Sequence, residues 1–134
     1  MLVPAIHFQN VCDEALTYYK EALGAKVLEV AYFKDAPEDS GMEKMGLPPN
    51  FVMHSEVEIF GTKICMTDGA EKPVTSENFS LMVALNSAED VTSVFNTLAD
   101  GGKVAEPLAP QFWSTMCGTV EDRFGVSWHV YMDA

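Results

Sequence analysis

The hydrophobic pattern of the first half of the chain predicts one helix among short strands. Leu16, Tyr19 and Leu23 recur at helical spacing, and Gly24 supplies a stop directly after them. The other apolar or alternating segments are typical of strands and are bounded by polar or glycine-rich turns; they are residues 3–8, 26–33, 51–60 and 63–68. The first half is therefore predicted to fold as β-α-β-β-β.

The second half repeats this plan. Its helix is predicted to start at Ser87 and to end at the Asp-Gly-Gly of residues 100–102. Three apolar residues of this helix match those of the first helix at a constant offset of 75 residues, namely Val91, Val94 and Leu98. A loop is predicted at residues 109–113. Strands are predicted at residues 79–86, 103–108, 114–121 and 126–132.

Two such units predict an α+β fold, because a duplicated unit constrains the architecture more than any single motif does. We expect the two sheets to form one cup-shaped mixed sheet, with the helices outside and a concave face between the halves. The 134 residues then make a single domain, with a first module at about residues 1–69 and a second at about 78–134. Residues 34–50, rich in Pro, Gly and acidic side chains, are predicted to be a mobile loop.

Composition and charge narrow the choice of partners. The net charge of −12 opposes binding to a phosphate backbone or to an anionic membrane surface, so neither nucleic acid nor membrane is expected as a partner. No segment of the sequence approaches the ~20 apolar residues of a membrane span. Three scattered cysteines, and an amino terminus without a signal-peptide pattern, indicate free thiols in a reducing cytoplasm.

His129 is the first candidate for chemistry. Strand periodicity places it with Ser127 and Tyr131 on one face of the last strand, while Trp128 and Val130 lie on the other face. Serine, histidine and tyrosine on one face describe the polar wall of a ligand pocket. The alternative is a hydrogen-bonded histidine with a structural role alone.

The other two histidines extend this hypothesis. His7 is predicted to face the cup from the first strand, and His54 shares a strand face with Glu56 and Glu58. If the three imidazoles converge near Glu56, they suit Zn²⁺, Ni²⁺ or Fe²⁺. This hypothesis predicts a metal site of His7, His54 and His129, whereas the alternative for the two glutamates is a solvated strand face.

Aromatic and sulfur-containing side chains complete the candidates. Phe112 and Trp113 lie in the predicted loop, where large aromatics either cover a pocket or contact a partner chain. Cys65 and Cys117 suit buried apolar positions, and Cys65 is also a candidate ligand contact.

The chain has no Gly-x-Ser-x-Gly elbow, no phosphate-binding loop and no glycine-rich turn after its first strand. Serine-hydrolase, nucleotide-binding and S-adenosylmethionine chemistry therefore have no support in the sequence.

Five segments spread over both halves carry a family resemblance: EALTYYKEALGAKV, MHSEVEI, LADGGKV, QFW and DRFGVSW. They are similar to the vicinal oxygen chelate superfamily, which includes glyoxalase I, bleomycin-resistance proteins and ring-cleaving dioxygenases. The Phe-Trp pair with a later Asp-x-Phe-Gly-x-x-Trp resembles its PhnB-like branch, which carries the label 3-demethylubiquinone-9 3-methyltransferase. The resemblance implies a glyoxalase/bleomycin resistance-like fold, a homodimer and usually a divalent metal.

In this superfamily the metal ligands commonly come from the first, fourth, fifth and eighth strands. The resemblance puts these positions near Val3, Cys65, Ser80 and His129. Only His129 is a good ligand, because valine cannot coordinate, neutral serine binds poorly and a thiol must first lose its proton. A stable site generally needs three or four ligands, so the inherited metal site is expected to be largely lost.

The chain is therefore expected to bind a small molecule without breaking a bond. Its expected ligand contacts are His7, His54, Glu56, Cys65, Phe112, Trp113, His129 and Tyr131. The alternative is an enzyme of the lyase, isomerase or dioxygenase type, in which a divalent metal on His7, His54 and His129 acts as a Lewis acid. A ubiquinone-type methyltransferase, as the family label implies, is the third candidate.

Overall fold

The computed structural model describes residues 1–72 and 78–133. The chain divides into two units, Met1–Pro73 and Val74–Ala134, and within the described residues each unit holds one α-helix and one four-stranded mixed sheet. The α+β class and the two predicted β-α-β-β-β modules are confirmed, whereas their union in a single domain stays a prediction. Neither α-helix in these two ranges is long and apolar enough to cross a bilayer.

The first unit contains, in chain order, β1 (Ala5–Phe8), α1 (Cys12–Leu23), β2 (Lys26–Tyr32), β3 (Val52–Ile59) and β4 (Thr62–Asp68). The strand order in the sheet is β1-β4-β3-β2, with β1 parallel to β4 and the other neighbours antiparallel. Phe60 and Gly61 turn the chain between β3 and β4 with φ values of 48° and 81°. Two consecutive left-handed residues suit the twist of a tight hairpin.

The second unit contains β5 (Leu81–Leu85), α2 (Ala88–Ala99), β6 (Lys103–Gln111), β7 (Ser114–Glu121) and β8 (Ser127–Met132). Its strand order is β5-β8-β7-β6, with β5 parallel to β8. This order repeats that of the first sheet strand for strand, so the duplication predicted from the sequence is present in the topology.

The repeat differs by one residue from the offset that the sequence pattern indicated. The two helices both have 12 residues, and they begin 76 residues apart. As a result Phe95, not Val94, occupies the buried position that corresponds to Tyr19. Helical spacing did not separate these two neighbours, because both are large and apolar.

In each unit the helix packs on one face of its sheet. The helix α1 contacts β2, β3 and β4, and α2 contacts all four strands of its sheet. The largest fully buried side chains include Tyr19 and Met66 in the first unit and Leu98 and Trp128 in the second. Burying a large apolar side chain contributes about 1.5–3 kcal/mol, so these layers hold each sheet in place while its other face carries the polar candidates.

The predicted loop at residues 109–113 is wrong over its first three residues. The strand β6 continues to Gln111, which pairs with Ser114. Pro110 lies in the predicted loop and Pro107 in the predicted strand before it, but both lie in β6, and β6 is an edge strand of its sheet. An edge strand tolerates proline because the N–H that proline lacks can face away from the neighbouring strand.

Backbone hydrogen bonds join the two ends of the predicted mobile loop at residues 34–50. The N–H of Phe33 donates to the carbonyl of Phe51 at 2.8 Å, and that of Lys34 to Pro49 at 3.1 Å. The connection includes three short 3-10 turns, at Phe33–Asp35, Glu38–Ser40 and Met42–Met45. It therefore has local structure that composition alone did not predict.

The two helices begin in different ways. Ser87 caps α2 locally, because its Oγ accepts a hydrogen bond from the N–H of Asp90 at 3.1 Å. No side chain at the start of α1 does this. Instead Asp68, at the end of β4, accepts from the N–H of Cys12 through Oδ1 and from that of Val52 through Oδ2, each at 3.0 Å. One buried carboxylate thus joins the start of α1 to the start of β3.

A second carboxylate joins α1 to β2. The Tyr32 hydroxyl donates to Oδ1 of Asp13 at 2.6 Å. This hydrogen bond, with a smaller contribution from desolvation, raises the pKa of Tyr32 to about 12. The phenol therefore remains a donor to Asp13 well above the pH at which an ordinary tyrosine, with a pKa of about 10, ionises.

Candidate functional site

The first sheet has a polar face opposite α1. On β3, Ser55 and Val57 are fully buried, while the alternate residues His54 and Glu56 are partly exposed. The strand register puts nine polar side chains from all four strands on this surface, which we call the first polar face: His7, Lys26, Glu29, His54, Glu56, Glu58, Lys63, Cys65 and Thr67. Four of the expected ligand contacts therefore share one surface.

Three contacts orient the two imidazoles on the first polar face. Nδ1 of His7 lies 2.6 Å from Oγ1 of Thr67, its cross-strand partner on β4. Nδ1 of His54 lies 3.7 Å from Sγ of Cys65, and Nε2 of His54 lies 3.8 Å from Oε1 of Glu56. Each ring thus uses Nδ1 for a neighbour on β4, and its Nε2 points away from that neighbour.

Glu29 joins His54 and Glu56 in a cluster of possible metal ligands. One donor atom from each of the three side chains lies within 4.8 Å of the other two. Sequence reasoning missed Glu29, because its pairing with Glu56 depends on an irregular register in β2. Within the described ranges His7 belongs to no such cluster. His129 lies in the second unit, so the site of His7, His54 and His129 stays a prediction.

Lys63 partly balances the charge of this cluster. Its Nζ lies 3.2 Å from Oε1 of Glu56, and the two side chains are 34% and 29% exposed. Exposed ion pairs of this kind contribute little to stability, since water and salt screen them. The Glu56 carboxylate can therefore exchange its ammonium partner for another cation at small cost.

The second sheet has a polar face of its own, which carries His129 and Tyr131. Both residues are partly buried, whereas Trp128 and Val130 on the other side of β8 are fully buried. This is the alternation that the sequence predicts. Two cross-strand rows make up the second polar face: Met82, His129, Thr119 and Glu106 in one, and Ala84, Tyr131, Cys117 and Ala109 in the other.

Thr119 is the residue of this face that sequence reasoning missed. It is 9% exposed, and among the described residues its Oγ1 is the one buried side-chain nitrogen or oxygen without a hydrogen-bond partner. His129 is its direct cross-strand neighbour. Leaving a buried hydroxyl without a partner costs roughly 1–3 kcal/mol. The sequence contains no signal for this feature, because it arises from burial in the folded unit.

Phe112 and Trp113 form the two-residue turn between β6 and β7. Phe112 is fully exposed and Trp113 is half-exposed. The Trp113 ring meets the ring of Tyr131 edge-on, with centroids 5.7 Å apart. Tyr131 therefore links the aromatic turn to the second polar face.

Burial separates the three thiols chemically. Desolvation, with the nearby charge of Asp68 next in importance, raises the pKa of the fully buried Cys12 thiol far above its usual range. Burial also raises the pKa of Cys117, and the charge of Glu106 adds to the effect. Cys65 is partly exposed. Because the thiolate is the reactive form of cysteine, Cys12 and Cys117 are protected by both access and protonation.

We therefore expect iodoacetamide to alkylate Cys65 much faster than the other two cysteines of the folded protein. Mass spectrometry of tryptic peptides after timed quenching measures the three rates separately. The same reaction in denaturing urea is the control, and there all three cysteines should react at similar rates. Alkylation of Cys12 or Cys117 in the folded protein at the rate of Cys65 contradicts the prediction.

The segment DRFGVSW, which carries part of the family resemblance, has a structural role. Asp122 is 3% exposed. Its Oδ1 accepts from the N–H groups of Phe124 at 2.8 Å and Val126 at 3.1 Å, and its Oδ2 accepts from Nε1 of Trp128 at 2.9 Å. Gly125 takes a φ of 86°, which a side chain would disfavour. Asp122, Gly125 and Trp128 thus fix the turn that leads into β8.

Comparison with known proteins gives a consistent family match. The family model described as 3-demethylubiquinone-9 3-methyltransferase matches residues 1–131. Protein YjdN of Escherichia coli K12 is 30% identical over 139 residues, covering 96% of this chain and 92% of the relative. The matched region includes all five segments on which the sequence resemblance depends.

Solved structures extend the comparison to the fold. The PhnB protein of Bacillus cereus superposes with a TM-score of 0.80 at 20% identity, covering 98% of both chains. The fosfomycin resistance protein FosX of Listeria monocytogenes superposes with a TM-score of 0.68 at 10% identity, covering 100% of this chain and 93% of its own. A mutant of FosX has been solved in complex with Mn(II) and a dihydroxypropylphosphonic acid. At 20% and 10% sequence identity, these two superpositions show a shared fold and nothing about function.

Proposed function

Because the chain belongs to the 3-demethylubiquinone-9 3-methyltransferase family and has a glyoxalase/bleomycin resistance-like fold, we propose that it is a small-molecule-binding protein. The ligand binds on the second polar face and is not chemically changed. Its contacts in the second unit are Trp113, Thr119, His129 and Tyr131. The homodimer and the cytoplasmic location expected from the sequence stay predictions.

The unpartnered hydroxyl of Thr119 carries this proposal. A buried polar atom without a partner is uncommon in folded proteins, and a bound ligand or ion can supply the missing partner. Thr119 lies directly across from His129, so a ligand group that displaces the atoms covering the hydroxyl would also meet the imidazole. This arrangement supports a ligand with an oxygen or nitrogen that both donates and accepts.

The neighbours of Thr119 favour a ligand with an aromatic or apolar body. The edge-on rings of Trp113 and Tyr131 supply flat apolar surface. Met82, in the same cross-strand row as His129, is more than half exposed and adds a flexible, polarizable side chain. We therefore propose aromatic or polyketide-like compounds with a hydroxyl or carbonyl group as the ligand class.

We also propose that the metal site inherited from the superfamily is lost. Val3 has no donor atom, and it precedes the first residue of β1. Ser80 directly precedes β5, and its neutral hydroxyl binds metals poorly. Cys65 and His129 are then the remaining donors of the four, and they come from different units. Two donors do not make the three-ligand or four-ligand site that a stable metal centre needs.

A divalent-metal-dependent enzyme is the second candidate, because His54 lies beside two carboxylates. An ion bound beside His54 would supply Lewis-acid chemistry to this candidate, and its predicted ligands His7, His54 and His129 stay untested. Methyl transfer, the third candidate, has no support in the sheet topology. Both sheets in the described ranges are mixed, and neither has the doubly wound parallel order in which a glycine-rich turn after the first strand receives a nucleotide.

The substitution Thr119→Val tests the proposal, because valine keeps the shape and removes the hydroxyl. We expect the ligand-free variant to gain about 1 kcal/mol in the free energy of unfolding. A thermal-shift screen of aromatic and polyketide compounds identifies those that bind the unmodified protein. The melting temperature of the protein should rise as the concentration of such a compound rises. The same compounds should bind the variant at least several-fold more weakly, as measured by calorimetry.

Thr115→Val is the matched control. Thr115 lies on the same strand, but its side chain is exposed and its Oγ1 contacts Sδ of Met132 at 3.4 Å. This variant should leave both stability and binding nearly unchanged. The proposal fails if no compound of the screen stabilises the protein, or if Thr119→Val binds the identified compounds as tightly as the unmodified chain does.

A further inference from the structure

We propose that Glu29, His54 and Glu56 form a binding site for a divalent cation of the Zn²⁺ type on β2 and β3 of the first unit. The site differs from the three-histidine hypothesis, since it uses neither His7 nor His129. None of its three ligands is at a strand position where the superfamily resemblance implies a metal, although Cys65, at one of those positions, is the cross-strand partner of Glu56. Because it is tested with the metal ion alone, it does not depend on the proposed small-molecule ligand.

The strand register brings the three donors together. Glu29 and Glu56 are direct cross-strand partners in the antiparallel pair β2–β3, so their side chains leave the same face of the sheet. His54 lies two residues from Glu56 on β3 and therefore shares that face. Their donor atoms lie within 4.8 Å of one another. Donors on a tetrahedral Zn²⁺ are about 3.4 Å apart, given bonds of about 2.1 Å, so small side-chain rotations close the site.

The donor types fit the ion. An imidazole nitrogen and two carboxylate oxygens are ordinary Zn²⁺ ligands, and three protein ligands leave a fourth position for water or another small molecule. Two carboxylates also supply negative charge for the cation. His54 is 48% exposed and Glu56 29%, so an ion has direct access from solvent.

Cys65 orients the imidazole. With Nδ1 of His54 at 3.7 Å from Sγ of Cys65, Nδ1 carries the ring proton when the metal takes Nε2. Histidines that bind metals almost always donate their other ring N–H to a neighbour, and this contact fixes the ring. Nε2 already lies 3.8 Å from Oε1 of Glu56, on the side of the ring where the metal would bind. Cys65 is therefore a positioning residue for His54.

Lys63 acts against the metal. Its ammonium lies 3.2 Å from Oε1 of Glu56, where it neutralises part of the negative charge that would attract the cation. Metal binding must displace this ammonium or move it. Removing the positive charge of Lys63 should therefore tighten Zn²⁺ binding, whereas removing any of the three ligands should weaken it.

The test is a Zn²⁺ titration of the full chain against a chromogenic chelator, after EDTA treatment and dialysis. We expect one equivalent of Zn²⁺ per chain. Glu29→Gln, His54→Gln and Glu56→Gln should each weaken binding by at least ~10-fold, whereas Lys63→Gln should tighten it by about threefold. Circular dichroism and thermal unfolding verify that each variant folds.

Glu58→Gln is the matched control. Glu58 lies on the same face of β3, two residues beyond Glu56, but is not part of the cluster. This variant removes the same charge and should leave Zn²⁺ affinity within about twofold of the unmodified chain. If Glu58→Gln weakens binding as much as Glu56→Gln does, the effect is general charge and the proposed site is wrong.

Two further comparisons complete the test. Cys65→Ala should weaken Zn²⁺ binding by about 10-fold, and Cys65→Ser should restore most of it, because serine again offers an acceptor to Nδ1. His7→Gln and His129→Gln should leave the affinity unchanged. The proposal is overturned if the unmodified chain binds no Zn²⁺, or if binding depends on His7 and His129 but not on Glu29.

Discussion

Asp122→Ala is expected to lower the free energy of unfolding by about 3–5 kcal/mol. The substitution removes the acceptor for three donors, namely the N–H groups of Phe124 and Val126 and the indole N–H of Trp128. Trp128 is fully buried, so its indole N–H gains no water in exchange. The turn before β8 loses its support at the same time, and β8 is the strand that carries His129.

Urea unfolding followed by tryptophan fluorescence measures this loss. Asp122→Asn should cost less than Asp122→Ala, because the amide oxygen can still accept from the backbone, but its NH₂ group opposes the indole N–H. Asp100→Ala is the control, since Asp100 is exposed and its carboxylate only lies 3.8 Å from Arg123. That substitution should cost less than about 1 kcal/mol. An equally small loss for Asp122→Ala would show that the turn is held by other contacts.

Asp68→Ala is expected to lower the free energy of unfolding by about 2–4 kcal/mol. Its two carboxylate oxygens accept from the N–H groups of Cys12 and Val52, and the residue is 7% exposed. A carboxylate at the first turn of a helix also interacts favourably with the helix dipole. Its removal leaves two buried backbone donors without an acceptor and loosens α1 from β3.

Hydrogen exchange locates this effect in the chain, and urea unfolding measures its size. In Asp68→Ala the amides of Cys12 and Val52 should exchange much faster, while the second unit keeps its protection. Ser87→Ala provides the comparison, because it removes the local cap of α2 and should cost about 1 kcal/mol. If the two variants lose the same stability, Asp68 acts as an ordinary cap and does not join α1 to β3.

Local features of the fold were predictable from the sequence, since they depend on residues close in the chain. The apolar spacing and Gly24 defined α1, and period-two alternation defined β3 and the face of β8 that carries His129. The same reasoning failed at residues 109–111. There, local composition with proline indicated a loop, while the position of β6 at the sheet edge made a strand possible.

The candidate sites depended more on register than on pattern. The bulge in β2 between Val27 and Glu29 sets which side chain meets Glu56, and no local pattern predicts where a bulge falls. Thr119 could not be found either, because a threonine in a strand is ordinary until the fold buries its hydroxyl. Asp122 and Asp68 show the same limit. The contacts of Asp122 are local to its turn, whereas Asp68 binds the N–H of Cys12, 56 residues away in the chain.

The different anchoring of the two helices has a consequence for synthesis on the ribosome. α2 carries its own amino-terminal cap, so the acceptor for the N–H of Asp90 is available as soon as the helix leaves the exit tunnel. The first amide of α1 must wait for a carboxylate that is translated 56 residues later. The strands that α1 contacts, β2, β3 and β4, also follow it in the chain, so its apolar side has no sheet to pack on during that interval.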